Sequence, residues 1–551
     1  MTYVITQVCC NDASCVAVCP VNCIHPTPDE PEYPTAEMLY IDPAVCIDCG
    51  ACVDVCPVDA IAADYELEPH RSRYEQINAD YYKAPGRADY EQETWRPKPR
   101  TWGSDAGSLR VVVIGSGPAA CYATSELQSQ RGLEVQVDMV ERLPTPWGLL
   151  RAGVAPDHQD TKSASNTFAV AMRRKGFRFF GNVEVGRDVS HQDLLARYDA
   201  LVYAVGASAD RRLGIPGEDQ VGSLAATDLV AWYNGHPDGA GLSIDLSAER
   251  VVIVGNGNVA LDVARLLLSD PERLAPTDIA DHALKVLRQS SVREVVLVGR
   301  RGPAQAAFTM PELLALSQVQ GINVVADPAE LIAEVSDPTS VAAQKVALLT
   351  EIAQRSSDQG RRIVLRFCVA PTEILGEEKV TGIRLERTRL QTVDGAVRAV
   401  STGEHEDLAC GLVLRSIGYR GRPVPELPFD ETRAVVPNIG GRVVDPESLA
   451  PVAGVYVTGW IKRGASGVIG TNNWDARETV NALLDDHEAG RLKPPGADRD
   501  DLADLLPDHV SMAGWKAIDS QETTAGRAAD RPRVKFTSLS DMLKTAQGAE
   551  P

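Results

Sequence analysis

Four cysteines near the N-terminus have the spacing of iron–sulfur ligands. Cys46, Cys49, Cys52 and Cys56 are separated by two, two and three residues, and Pro57 follows directly. Two-residue spacers let one tight loop present three sulfurs to a cuboidal cluster, while the fourth thiolate of such a run binds a second cluster. A four-cysteine zinc site is the alternative, but it requires two separated cysteine pairs. The spacing therefore favours iron–sulfur ligation.

A second, incomplete copy of this spacing lies upstream. Cys9, Cys15 and Cys19 keep the same intervals, Pro20 follows, and Asp12 stands where a second cysteine would be. When the last cysteine of each motif binds the other motif's cluster, two ligand sets result. These are Cys19, Cys46, Cys49 and Cys52 for a [4Fe–4S] cluster, and Cys9, Cys15 and Cys56 for the other. Three thiolates suit a [3Fe–4S] cluster, unless the Asp12 carboxylate holds a fourth iron.

Residues 1–63, here called the head, resemble seven-iron bacterial ferredoxins in both motifs and in the TYVI near the start of the chain. The head departs from that family by a shorter loop between Cys9 and Cys15 and by an insert at residues 26–37. Cys10 and Cys23 lie outside the pattern, and we expect packed or idle thiols there. The head contains nine Asp or Glu and no Lys or Arg. This asymmetry indicates either an acidic docking module or simply a solvated acidic surface.

A glycine-rich turn follows the apolar strand predicted at residues 109–115. Gly115, Gly117 and Ala120 fit the dinucleotide fingerprint, whose small residues let the backbone approach a pyrophosphate at a helix N-terminus. Glu141 ends the next predicted strand, where an acid binds ribose hydroxyls. Strand, helix and acid together predict a first nucleotide site.

A second fingerprint, with Gly255 and Gly257, follows the strand predicted at residues 250–255. The strand after it ends in Arg300 and Arg301 instead of an acid. Two guanidiniums attract a 2′-phosphate, each through bonds worth about 1.5–3 kcal/mol. The pair therefore predicts selectivity for NADP over NAD, the alternative being an exposed arginine pair at a strand end. The helix-to-strand interval is long because residues 269–291 are inserted.

These units resemble the adrenodoxin reductase family of NADPH–ferredoxin reductases over residues 109–543. The resemblance also rests on the PTPWGL run at 144–149, VAPDH at 154–158, RRGP at 300–303 and GWIKR at 459–463. The whole chain is similar to the mycobacterial-type fused ferredoxin/ferredoxin–NADP reductases. The family implies FAD in the first site and NADP(H) in the second, with the NADP domain inserted in the FAD domain.

The resemblance also implies the contact residues. For FAD they are Gly115, Gly117, Ala119, Glu141, Leu149, Val185, Trp460, Gly467, Val468 and Ile469. For NADP they are Arg211, Asn256, Gly257, Asn258, Val259, Arg300, Arg301, Glu312 and Gly467. His158 would lie near the flavin edge and Glu312 near the nicotinamide carboxamide. As catalytic candidates, both compete with an ordinary structural or orienting role.

These motifs require several elements to position them. We expect an α+β ferredoxin head followed by an α/β flavoprotein with two Rossmann domains. The predicted boundaries are 1–63 for the head, 64–108 for a linker, 109–208 and 431–551 for the two parts of the FAD domain, and 209–430 for the NADP domain. The linker has prolines, charges and tyrosines but no sustained hydrophobic period. The end of the last segment, from residue 494, is predicted to be a polar tail with helical parts.

Composition limits the classes of partner. The net charge of −21 argues against nucleic acid and anionic membranes. No apolar run is long enough to span a bilayer and no secretion signal precedes the first motif, so we expect a cytoplasmic protein. Nine of the twelve cysteines lie in the first 56 residues. Their spacing favours metal ligation in a reducing compartment over disulfides.

The motifs together predict an NADPH–ferredoxin oxidoreductase. A hydride passes from NADPH to FAD, and single electrons then pass through the fused clusters to ferredoxins or cytochromes P450. One alternative is the NADPH-oxidising subunit of a glutamate synthase, although the PTPWGL and RRGP runs favour the reductase. Another is a redox sensor that binds NADPH and clusters without turnover.

Overall fold

The computed structural model describes residues 1–91, 93–97, 99–103, 106–333, 335, 337–355, 360–492 and 501–548. Parts of the predicted linker (92, 98, 104–105) and of the predicted tail (494–500, 549–551) lie outside the described residues. Within the described ranges, no helix combines the length and apolar character needed to cross a membrane.

Two short antiparallel pairs frame the head. Tyr3–Ile5 pairs with Ile61–Ala63, and Ile24–His25 pairs with Tyr40–Ile41. The helices Ser14–Val18 and Ala51–Asp54 each follow one cysteine loop. The first pair brings the two ends of the head together, so both cysteine motifs lie in one small unit.

The segment predicted to be a linker contains an ordered helix, Arg73–Tyr81, that packs on the head. Asn78 Oδ1 accepts hydrogen bonds from the backbone N–H groups of Ile5 (3.3 Å) and Ile41 (2.9 Å). The hydroxyl of Tyr82 donates to the carbonyl oxygen of Tyr40 at 2.7 Å. The sequence pattern did not reveal this helix because its buried face combines tyrosines and an asparagine with a single isoleucine.

A seven-stranded sheet carries the first fingerprint. Five of its strands are parallel and two antiparallel strands extend one edge. Its order is Asn438–Ile439, Arg442–Val444, Pro451–Val457, Ala200–Tyr203, Ser108–Ile114, Glu134–Val140, Phe177–Phe180. Strand Ser108–Ile114, in the middle of the five parallel strands, is buried on both faces from Val111 onward, as parallel strands usually are. The helices Pro118–Gln128 and Thr471–Glu488 pack together beside it.

A parallel six-stranded sheet carries the second fingerprint. Its order is Ser223–Ala225, Leu412–Arg415, Arg250–Val254, Glu294–Gly299, Arg361–Phe367, Ile322–Ala326. All six strands come between Ala200–Tyr203 and Asn438–Ile439 along the chain. An antiparallel sheet of Val369–Leu375, Gly382–Val393 and Ala396–Ala409 flanks it, and Ala209–Asp210 pairs with Tyr419–Arg420 where the chain passes between the two large sheets.

Further helices complete the layers. They are Leu149–Ala152, Gln159–Lys162, Ala164–Ala171, His191–Leu195, Ala226–Tyr233, Asn258–Leu268, Pro271–Leu274, Asp281–Leu287, Met310–Leu316, Val341–Arg355 and Trp460–Arg463. Short 3₁₀ turns occur at Tyr33–Thr35, Asp64–Glu66, Pro303–Gln305 and Pro328–Glu330. Near the C-terminus, Leu502–Leu505, Met512–Ala528 and Leu539–Gln547 fold back on the body.

Buried ion pairs hold this C-terminal segment in place. Arg151 contacts both oxygens of Glu522, at 2.5 and 2.9 Å. Lys535 and Lys162 both contact Asp278, at 2.9 and 2.7 Å, and all three side chains are nearly inaccessible. Asp278 belongs to the 269–291 insert of the second unit. The insert, the first unit and the C-terminal segment therefore meet at one charged cluster.

Candidate functional site

In the head, Cys52 lies near thiols of both cysteine motifs. Burial, together with the neighbouring Cys46, Cys19 and Cys49, raises the pKa of Cys52 to about 12. Cys19 of the first motif therefore lies near thiols of the second motif. Among the described residues, no three His, Cys, Asp or Glu side chains are grouped as the ligands of a single metal ion are.

The remaining set gathers around Asp12. Burial raises the pKa of Cys15, and Cys9, Asp12, Cys56 and, from the other predicted set, Cys52 lie close enough to raise it further. The Asp12 carboxylate is 9% exposed, and its Oδ2 accepts a hydrogen bond from the Ser14 hydroxyl at 2.5 Å. Three thiols and one hard oxygen donor form this set, which fits a cluster with three firm ligands and one weak ligand.

The two cysteines outside the pattern are both buried. Cys23 nevertheless contacts the first set, because its Sγ lies 3.4 Å from the Sγ of Cys19. A hydrogen bond with the Cys23 thiol lowers the pKa of Cys46 to about 5. Cys23 therefore belongs to the immediate surroundings of the predicted ligands. Cys10 contacts the body instead, as described below.

The first fingerprint forms a backbone cradle. Gly115 has a φ of +104°, and a Cβ there would lie 2.5 Å from the carbonyl oxygen of Ala204. Only glycine therefore fits this turn. A Cβ on Gly117 would meet nothing within 4 Å, so open space lies at the N-terminus of helix Pro118–Gln128. Exposed N–H groups and the helix dipole at this position suit a pyrophosphate.

Glu141 lies beside that cradle. Its Oε2 accepts a hydrogen bond from the Ser116 hydroxyl at 2.5 Å, and its Oε1 accepts from the backbone of Leu143 at 2.9 Å. Burial raises the pKa of the Glu141 carboxyl, although Ser116 and Leu143 oppose this effect. Its place fits an acceptor for ribose hydroxyls.

Of the other predicted FAD contacts, Trp460 lies next to the fingerprint helix. A Cβ on Gly459 would meet the Ala119 side chain at 2.6 Å, so residues 459–460 closely approach the fingerprint helix. The indole N–H of Trp460 donates to the carbonyl oxygen of Ser466 at 3.0 Å, and Ser466 directly precedes residues 467–469. Leu149 is exposed, whereas Val185 packs against the core under the sheet.

The second fingerprint has the same open helix N-terminus, since a Cβ on Gly257 would meet nothing within 4 Å. Asn258 Oδ1 accepts from the backbone N–H of Thr309 at 2.8 Å, which links this turn to helix Met310–Leu316. Arg300 and Arg301 are exposed at the predicted strand end, and neither guanidinium has an ion-pair partner within the described part of the chain. The exposed Arg211 lies next to Gly418.

A polar junction joins the two units. Arg265 donates to Asp157 at 3.1 Å, to His158 Nε2 at 3.1 Å and to Asp262 at 2.9 Å. One guanidinium therefore joins the two units, because Asp157 and His158 belong to the first unit and Asp262 belongs to the second. Burial, followed by Asp262, raises the pKa of Glu312, while His158 and Arg265 oppose this. The two candidate catalytic residues are therefore close neighbours.

Three residues of this junction were missed by sequence reasoning: Asp157, Asp262 and Arg265. A signal was present, because residues 262 and 265 lie one turn apart on the helix that follows the second fingerprint. Arg265 also lowers the pKa of Asp157, although burial alone would raise it. The sequence pattern did not show that this face of the helix meets the first unit.

The head lies directly on the first unit. The backbone N–H of Gly470 donates to the carbonyl oxygen of Cys10 at 2.6 Å, and Asn473 donates to the carbonyl oxygen of Asp12 at 2.9 Å. Ser163 donates to the carbonyl oxygen of Pro57 at 2.8 Å. The loop at residues 9–12 therefore contacts the chain directly after the predicted FAD contacts at 467–469.

Comparison with known proteins identifies both parts. Residues 109–302 match the "Pyridine nucleotide-disulphide oxidoreductase" family, and residues 39–62 match "4Fe-4S binding domain". A probable ferredoxin/ferredoxin–NADP reductase of Mycobacterium leprae is 49% identical over 100% of this chain and 99% of its own length. Human mitochondrial NADPH:adrenodoxin oxidoreductase is 41% identical over 82% of this chain and 97% of its own length.

A solved structure matches the body. Mycobacterium tuberculosis FprA in complex with NADPH has a TM-score of 0.76 and 48% identity, covering 80% of this chain and 100% of that one. The predicted resemblance and the predicted oxidoreductase activity are confirmed. The chain belongs to the ferredoxin/ferredoxin–NADP reductases, oxidoreductases in which an iron–sulfur head is fused to an NADPH–ferredoxin reductase body.

Proposed function

We propose that the first unit binds FAD and the second binds NADP(H). The cradle at Gly115 and Gly117 with the acid Glu141 supports the first assignment. The second rests on the open turn at Gly257 and on Arg300 and Arg301, which lie exposed just after strand Glu294–Gly299. On this assignment the NADP domain, residues 209–430, is inserted between the two parts of the FAD domain.

The two thiol sets of the head are proposed to hold different clusters. Cys19, Cys46, Cys49 and Cys52 suit a [4Fe–4S] cluster, because four thiolates are available. The set with Cys9, Cys15 and Cys56 suits a [3Fe–4S] cluster, since only the Asp12 oxygens are left for a fourth iron. The grouping of these side chains around Asp12 supports the second assignment.

One contact carries the functional proposal: Gly470 N–H donates to Cys10 at 2.6 Å. When bound, FAD takes a hydride from NADPH and releases its electrons singly to iron–sulfur clusters. The residues of the polar junction would hold the two nucleotide units together. The hydrogen bonds of residues 470 and 473 keep the loop at residues 9–12 of the head against the body. Covalent fusion keeps the carrier at an effective concentration of about millimolar even if docking is weak.

The ligand sets differ in their access to solvent. The set around Asp12 lies at the body, while Cys49 of the other set is exposed and neighbouring Ile47 is 58% exposed. We therefore propose that electrons enter the head near Cys10 and leave near Cys49. External acceptors would be ferredoxins or cytochromes P450. The thiolate ligands suit the reducing cytoplasm.

Deleting the head tests this proposal. The chain should be cut just before strand Ser108–Ile114 instead of after residue 63, because helix Arg73–Tyr81 packs on the head. The remaining body should keep FAD and reduce ferricyanide with NADPH, but it should reduce cytochrome c only when separate head protein is added. Undiminished cytochrome c reduction by the body alone would contradict the proposed route. If the full chain reduced no acceptor through repeated turnovers, it would be a sensor instead.

A further inference from the structure

Helix Met310–Leu316, which carries Glu312, is held from the head as well as from the second nucleotide unit. Its start is linked to the fingerprint through the 2.8 Å bond between Thr309 and Asn258. Glu312 faces His158 and Asp262 at the polar junction. If the NADP(H) assignment holds, the position of this helix sets the geometry at the nicotinamide end of the site.

Gln7 of the head touches the predicted nicotinamide residue itself. Its side-chain amide Nε2 donates to Glu312 Oε2 at 3.2 Å, across a separation of 305 residues in sequence. No hydrogen bond to the other oxygen, Oε1, occurs within the described ranges, so Oε1 is left to accept from a ligand amide. A carboxylate fixed through one oxygen is better oriented to accept through the other.

Glu37 holds the beginning of the same helix. Its Oε2 accepts from the backbone N–H of Met310 at 2.7 Å, and its Oε1 pairs with Lys345 at 2.5 Å. The N–H groups of a first helical turn have no partner within the helix, and a negative charge there also interacts favourably with the helix dipole. Lys345 lies on helix Val341–Arg355, so one carboxylate of the head joins two helices of the body.

The position of Glu37 explains a feature that the ferredoxin pattern left unassigned. Glu37 is the last residue of the insert at residues 26–37. A third contact comes from helix Arg73–Tyr81, where the Tyr74 hydroxyl donates to the carbonyl oxygen of Pro311 at 3.4 Å. The consecutive residues Met310, Pro311 and Glu312 thus each accept or donate a hydrogen bond to a residue in the first 81 residues of the chain.

We infer that the head completes the nicotinamide end of the NADP(H) site, with Gln7 and Glu37 as positioning residues for Glu312. This inference rests on the proposed function of the second unit. Head docking and NADP(H) binding are then coupled, and the coupling is reciprocal: a docked head strengthens NADP(H) binding, and bound NADP(H) strengthens docking. The observed bonds are few, so a coupling near the lower end of the usual range, about fivefold, is expected.

The test measures binding instead of turnover. The full-length oxidised holoprotein is titrated with NADP⁺ and, separately, with 2′,5′-ADP, which lacks the nicotinamide, and the change in flavin absorption gives each Kd. Gln7→Leu and Glu37→Ala should each raise the Kd for NADP⁺, by up to about fivefold. The Kd for 2′,5′-ADP should not change, because Arg300 and Arg301 are untouched. Glu32→Ala, an exposed acid in the same insert, is the matched control.

The outcomes separate two kinds of failure. An unchanged Kd for NADP⁺ in both variants, with normal binding by the unaltered protein, would overturn the inference alone. Failure of the unaltered protein to bind either nucleotide would overturn the proposed NADP(H) site as well. An equal rise in the Kd values for NADP⁺ and 2′,5′-ADP would contradict the inference, because the defect would not lie at the nicotinamide end. Flavin content and the cluster signals of each variant establish that it is folded.

Discussion

The backbone N–H of Gly470 donates a hydrogen bond to the carbonyl oxygen of Cys10, at 2.6 Å, although 460 residues separate them. A Cβ on Gly470 would lie 2.2 Å from the backbone of Asn11 and Asp12. Gly470 has ordinary helical dihedrals, so alanine is compatible with its own backbone. The head therefore docks on a surface that only glycine leaves open.

Replacing this residue, Gly470→Ala, should displace the head while leaving the FAD site in place. A misplacement of about 1 Å can lower a rate by up to about 100-fold, so reduction of the clusters by NADPH should slow at least tenfold. Stopped-flow absorption follows flavin and cluster reduction separately. Gly241→Ala is the control, because its Cβ would meet nothing within 4 Å. Cluster reduction at the normal rate would mean that electrons do not enter through this contact.

The arginine pair is expected to decide nucleotide choice. In the Arg300→Ala, Arg301→Ala double variant, KM for NADPH should rise strongly while NADH use changes little, because each residue contributes about 1.5–3 kcal/mol to a 2′-phosphate. The exposed Arg273→Ala, in the same unit, should have no such effect. If the ratio of NADPH to NADH efficiency stays unaltered in the double variant, these residues do not bind the phosphate.

Sequence reasoning recovered the parts of the site whose signals are local. The two glycine-rich turns each lie within one strand–turn–helix unit, and the structure contains both predicted units. The cysteine intervals and Glu141 are also local signals, and the ligand roles assigned to them stay predictions. Arg265 was missed because its partners, Asp157 and His158, lie on the other nucleotide unit. Such contacts depend on how two sheets are placed, which no local pattern encodes.

The lack of a local signal also explains why sequence reasoning missed the helix in the connecting segment and the contacts between head and body. Helix Arg73–Tyr81 buries Tyr74, Asn78 and Tyr81, residues that a hydrophobic pattern does not register, so the segment was expected to be a linker. The bond from Gln7 to Glu312 joins residues far apart in the sequence. The insert at residues 26–37 was visible as a departure from the ferredoxin pattern, but its partner helix was not.

Asp12 should determine the type of the first cluster. In air-isolated protein, electron paramagnetic resonance should show the oxidised signal of a [3Fe–4S] cluster, because a carboxylate holds a labile iron less firmly than a thiolate does. In Asp12→Cys that signal should disappear and reduced [4Fe–4S] signals should grow. Excess ferrous iron under reducing conditions should convert part of the unaltered protein. Two oxygen-stable [4Fe–4S] clusters in the unaltered protein would show that the three-thiolate assignment is wrong.

The cluster of Lys162, Asp278 and Lys535 should stabilise the attachment of the C-terminal segment. Asp278→Asn leaves two buried ammonium groups without their counter-ion, which should lower the free energy of unfolding by about 3–5 kcal/mol. Thermal unfolding and limited proteolysis of residues 502–548 measure the effect. Asp281→Asn removes only an exposed partner of Arg531, whose guanidinium keeps its hydrogen bonds to the carbonyl oxygens of Thr277 and Ile279, so it should cost at most about 1 kcal/mol. Equal costs in both variants would contradict a special role for the buried cluster.

The same carboxylate gives a pH dependence. Burial alone would raise the pKa of Asp278, but Lys535 and Lys162 outweigh it and lower the pKa to about 2. An unfolded aspartate has a pKa of about 3.9. The lowered pKa in the folded state therefore adds about 2.5 kcal/mol to the free energy of unfolding above pH 4. This contribution is lost as the pH falls from about 4 to about 2. Denaturant unfolding across this range should show a shallower acid loss in Asp278→Asn, and identical slopes would refute the assignment.

The central claim is that NADPH reduces the clusters of the head within one chain, through the body on which the head is docked. Anaerobic mixing of the full-length protein with NADPH, followed by freeze-quench electron paramagnetic resonance, tests it most directly. Flavin bleaching should precede cluster reduction, and the rate of cluster reduction should not change when the protein concentration is varied. A rate proportional to protein concentration, or clusters left oxidised after the flavin is reduced, would contradict the account.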